Sequence, residues 1–129
     1  MISTVVSRSS AALLLAGGLT LLFAPDAVLP RLSPGFPAAA LWVGQLLGAA
    51  WLGLSALNWI HRRAVLGGVY GRPVVFANLI QYFIGALVLV RAAQRASSPG
   101  ALWLMAVPAV ALALAYGVLL FRGPFDAPR

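Results

Sequence analysis

Residues 38–60 read AAALWVGQLLGAAWLGLSALNWI, 23 positions with no Asp, Glu, Lys, Arg or His. At 1.5 Å per residue a helix of this length reaches about 34 Å, slightly more than the ~30 Å hydrocarbon core of a bilayer. Its only strongly polar members are Gln45 and Asn58. The run therefore predicts a membrane-spanning helix, and the rest of the chain is read outward from it.

On the N-terminal side, residues 11–24 (AALLLAGGLTLLFA) reach spanning length when extended back to about Thr4. Arg8 then sits inside the span and snorkels, with its stem in lipid and its guanidinium among headgroups. A secretory signal peptide has a core of similar length, but Pro25 directly after Ala24 makes a poor cleavage site, so the expectation is a retained helix. On the C-terminal side, residues 74–90 follow Pro73, which suits a first helical turn because its missing N–H would have no partner there anyway. Residues 101–121 form the last run and contain Pro108, which removes one helical hydrogen bond and frees the Leu104 carbonyl.

The composition agrees with four spans, at about 4–24, 38–60, 74–90 and 101–121. Soluble domains hold about a quarter of their residues as Asp, Glu, Lys or Arg, whereas this 129-residue chain has 9% and is 62% hydrophobic. The expectation is an all-α integral membrane four-helix bundle, a single transmembrane domain over 1–129 with short loops, multi-pass in the cytoplasmic (inner) membrane. All nine basic residues are Arg. Four crossings put Arg8, Arg62, Arg63, Arg72, Arg122 and Arg129 on one side and Arg31, Arg91 and Arg95 on the other. That bias predicts both termini in the cytoplasm.

Among the connections, residues 25–37, with Pro25, Pro30, Pro34 and Gly35, are expected to be non-helical. In HRRAVLGGVYGRP, residues 61–73, the second helix is expected to continue through Arg63, stop at Gly67 and Gly68, and turn around Tyr70 and Gly71. Ser97 and Ser98 are placed to cap the fourth helix. Trp42, Trp59, Trp103 and Tyr70 read as interfacial anchors, while Trp51 falls at mid-membrane.

The same composition removes several chemistries. With no cysteine there is no thiol redox chemistry or thiolate metal site. One histidine and two carboxylates leave a multi-ligand metal site short of ligands, and no metal or cofactor is expected. There is no Glu, and Asp26 and Asp126 lie outside the spans, so no embedded carboxylate is present to exchange protons. The dispersed arginines flank apolar runs and point to anionic lipid headgroups, with Arg62, Arg63 and Arg72 the nearest candidates, and not to nucleic acid. No residue is assigned a catalytic role.

Apolar burial does not drive helices together in lipid, so small and polar residues mark contacts. Gly44 and Gly48 form a G-x-x-x-G pair continued by Trp51, Ser55 and Asn58. Ala109, Ala113 and Gly117 repeat every four residues in the last span. Asn78, Gln81, Tyr82 and Gly85 share one face of the third, and Asn58, expected at a similar depth to Asn78 across the hairpin, joins Asn78, Gln81 and Tyr82 as a candidate polar intramembrane face. Two amides and a phenol at these depths need partners, which makes the face either interhelical glue or the lining of a small polar path. Two functions follow as expectations. One is a non-enzymatic membrane protein acting as a homo-oligomer or as a small subunit of a membrane assembly. The other is a channel or facilitator for a small polar solute or ion.

Overall fold

The computed structural model describes residues 2–63, 69 and 71–122. They form helices α1 (Ile2–Phe23), α2 (Pro25–Leu32), α3 (Leu41–Ile60), α4 (Arg72–Arg95) and α5 (Gly100–Arg122), with a 3₁₀ turn at Ala38–Ala40 leading into α3. The protein is all-α and multi-span. Four apolar helical stretches are long enough to cross a membrane: Ile2–Phe23, Ala38–Ile60, Arg72–Arg95 and Gly100–Arg122.

Three connections differ from the reading of the sequence. Residues 25–32 are helical, because Pro25 enters at the first turn, Asp26 lies at the positive end and Arg31 at the negative end. Pro30 removes a single bond from this short helix and does not break it. The chain then reverses at Gly35, whose φ of +83° is left-handed, just before the Phe36 N–H donates to the Ser33 carbonyl. Helix α3 ends at Ile60 with its apolar run, and His61, Arg62 and Arg63 form a turn instead of a further helical stretch. Gly67, Gly68 and Tyr70 lie outside the described residues. Helix α5 starts at Gly100, with the Trp103 N–H donating to the Pro99 carbonyl, so Pro99 and neither serine precedes the first helical residue. It runs unbroken through Pro108.

Contacts divide the chain into two compact units, Arg8–Ile60 and Met1–Ser7 with His61–Arg129. In the first, α1 and α3 run antiparallel, as the pairings of Leu22 with Gln45 and of Ser10 with Asn58 show. Their backbones nearly touch: a Cβ on Gly48 would lie 2.7 Å from the Gly18 carbonyl oxygen, and one on Gly18 would lie 2.9 Å from that of Gly48. Only glycine at both positions permits this approach. Helix α2 adds Leu29, which fills the space beside Gly44.

In the second unit, the short link 96–99 returns α5 against α4. Val74, Val75, Asn78, Tyr82 and Ala86 are buried on α4, and Ala106, Ala109, Leu112, Ala113, Tyr116 and Leu119 on α5. Apart from the adjacent pairs Val74–Val75 and Leu112–Ala113, both sets recur every three or four residues, one stripe of each helix. The Tyr82 and Tyr116 rings stack with centroids 5.9 Å apart and planes 9° from parallel.

Candidate functional site

In the Arg8–Ile60 unit, the face of α3 carrying Gly44, Gly48, Ser55 and Asn58 is its buried face. Each polar group on it has a defined task. Asn58 Nδ2 donates to Ser10 Oγ at 3.0 Å, and Ser55 Oγ donates to the Ala11 carbonyl at 2.7 Å. Both bonds are buried and join residues more than 40 positions apart in sequence. Gln45 is exposed, yet its Nε2 donates to the Leu22 carbonyl at 3.2 Å. Carbonyls in the last turn of a helix have no partner within it, so the Gln45 amide serves as a cap for α1 delivered from α3. Thr20, exposed on α1, returns its hydroxyl to the Ala16 carbonyl one turn back at 2.7 Å.

The G-x-x-x-G pair, read from sequence as a helix-packing face, is occupied by α1 and Leu29 of the same chain. Trp51, set over a glycine stripe by its spacing, meets Gly17: a Cβ there would lie 2.7 Å from Trp51 Cζ3. The indole Nε1 of Trp51 is buried without a hydrogen-bond partner among the described residues.

In the second unit, the polar face of α4 separates into different roles. Asn78 is fully buried and its Nδ2 donates to the Val74 carbonyl, one turn back in its own helix, at 2.9 Å. Tyr82 is buried against Tyr116. Gln81 is half-buried and makes no hydrogen bond among the described residues. Gly85 is half-buried too, and a Cβ there would meet nothing within 4 Å. Ala109 and Ala113 are buried on α5, while Gly117 faces Leu79 at an ordinary 3.9 Å. Of the basic candidates, Arg63 and Arg72 are exposed and Arg62 is half-buried beside His61.

The sequence reading overlooked the serines of α1. Ser3, Ser7 and Ser10 are all essentially buried, and Ser7 Oγ has no partner among the described residues. Their spacing of four and three is a small-residue stripe of the kind that marks a packing face. Among the described residues no three His, Cys, Asp or Glu side chains gather as metal ligands would. No protein family, curated protein or solved structure matches the chain.

Proposed function

We propose that the protein is a non-enzymatic component of the cytoplasmic membrane, both termini inside, that works as a homo-oligomer or as a small subunit of a larger membrane assembly. The observation that carries this reading is the surplus of small residues. Gly44 and Gly48 are used within the chain, whereas Gly53, with Ala49 and Ala56 beside it on the exposed side of α3, has no atom within 4 Å of where its Cβ would be. Only 17% of the most apolar stretch of that span is buried. Exposed Gly and Ala at intervals of four and three allow another helix backbone to come close, which side chains facing only lipid do not require.

The test is the mass of the detergent-solubilised particle for Gly53→Ile. A lower mass than wild type, with an unchanged thermal midpoint, supports assembly through this face. A wild-type particle that is already monomeric and co-purifies with no companion from its native membrane overturns the proposal.

The second reading, a path for a small polar solute, draws on Gln81, whose amide has no protein partner among the described residues. Tyr82, stacked on Tyr116 of the neighbouring helix, fits glue better than a lining, whereas the bond from Asn78 to Val74 stays within its own helix.

A further inference from the structure

We infer that the groove between α4 and α5 binds one acyl chain of an anionic glycerophospholipid, with the Arg122 guanidinium holding the headgroup phosphate. The groove, open along its outer side, offers about 880 Å³ and is walled by Phe83 and Ile84 on one side and Leu114 and Val118 on the other, with Gly117 leaving room between them. Apart from Arg122, every lining side chain is apolar. Its size falls within the roughly 300–1,000 Å³ of ordinary ligand sites.

Length identifies the occupant. From Ala113 at one limit of the groove to Arg122 at the other, α5 rises about 14 Å, close to the ~15 Å hydrocarbon depth of a single leaflet. Arg122 is in the last turn of α5, where the apolar span ends and the phosphates of that leaflet begin. A chain lying in the groove would therefore run from mid-membrane to a headgroup beside a guanidinium, which matches phosphate with paired N–H donors. An anionic lipid brings the charge opposite to that of Arg122 at the depth where the guanidinium stands. The other unit repeats the arrangement on a smaller scale. Its groove of about 380 Å³ between α1 and α3 runs from Leu15 and Leu52 to Arg8 and Trp59. The site holds whether the chain acts alone or in an assembly.

The experiment uses the full chain in phosphatidylcholine vesicles. A trace of phospholipid with a diazirine midway along one acyl chain is added, as phosphatidylglycerol or as phosphatidylcholine, and adducts are mapped by peptide mass. Adducts should concentrate on Phe83, Leu114 and Val118. Their yield should be about fivefold higher with the glycerol headgroup, the ratio given by ~1 kcal/mol for one basic residue near anionic lipid. Arg122→Gln should bring the two probes to parity. Leu114→Trp, at a position exposed enough to spare the interior, should remove the groove adducts with either headgroup. Adducts spread over all exposed apolar faces would overturn the site, as would an unchanged headgroup preference in Arg122→Gln. A change in particle mass for Leu114→Trp would overturn it in favour of a second copy of the chain.

Discussion

The indole of Trp51 fills the volume that any side chain at Gly17 would need, with Cζ3 and Cε3 at 2.7 and 2.8 Å from where a Cβ would stand. A large aromatic residue at mid-span and a glycine on the facing helix are two halves of one contact. The neighbouring pair, Gly18 and Gly48, is different in kind, since there the obstacle is backbone carbonyl on both sides.

That difference ranks the glycine substitutions. Gly48→Ala has no flexible group to displace and should destabilise by about 1–3 kcal/mol, the usual range for overpacking. Gly17→Ala meets a ring and Gly44→Ala the tip of Leu29, both side chains able to move, so both should cost less than Gly48→Ala. Gly53→Ala meets nothing of its own chain, so in particles dissociated to single chains it should be neutral or gain up to about 1 kcal/mol from helix propensity. Thermal midpoints in one detergent check the order. A Gly53→Ala defect as large as that of Gly48→Ala would contradict it.

Asn58 and Ser10 offer a measurable coupling. Each replaced by Ala, and then both together, should give an interaction of about 0.6 kcal/mol and no more than ~1.7 kcal/mol, the span found for hydrogen bonds between membrane helices. The amount is modest because the separated helices find substitute partners within the membrane. Strictly additive single effects would show that the 3.0 Å bond contributes nothing.

For Gln81→Leu the expectation follows from its lack of a protein hydrogen bond among the described residues. Removing an amide that holds nothing together should leave stability within about 0.5 kcal/mol of wild type, as for substitutions away from special features. Solute flux measured in proteoliposomes should also be unchanged if the protein is an assembly subunit. Flux lost at unchanged stability would move the function to the transport reading.

How much of this was legible beforehand depends on whether a feature is local or relational. The spans could be read because lipid demands long uninterrupted apolar helices, and the face of α3 because small and polar residues at intervals of three or four have few other uses there. What that face touches was not legible. Periodicity says which residues share a side, and nothing in it distinguishes a partner helix in the same chain from one in another. Helix α2 was missed because prolines at 25 and 30 read as breakers, although the first stands where a proline costs nothing. The α1 serines were passed over because serine near an N-terminus reads as surface. Gln45 could have been found only by knowing that α1 ends opposite it.

Orientation can be read with engineered cysteines, since the chain has none of its own. With both termini inside, Ser33→Cys should react with an impermeant thiol reagent in intact cells, while Arg62→Cys and Arg129→Cys react only after permeabilisation. The reverse pattern would invert the topology, and reaction of Ser33→Cys and Arg129→Cys together would mean an odd number of crossings.

The boundary between the two units falls inside α1, between Ser7 and Arg8, so one unbroken helix serves both. This gives the protein an order of assembly in time. On a translating ribosome the residues that complete the Arg8–Ile60 unit emerge first, and at roughly 5–20 residues per second those from His61 onward follow over several seconds more. During that interval the two opening turns, with Ser3 and Ser7, are already synthesised while the part of the chain they belong with is still to come. Ser3 and Ser7 are made well before the residues from His61 onward with which they group, and so are among the last to find their permanent neighbours. A ribosome-stalled chain ending near residue 70 would leave Ser3 and Ser7 open to whatever insertion factor is at hand, whereas in the finished chain both are buried.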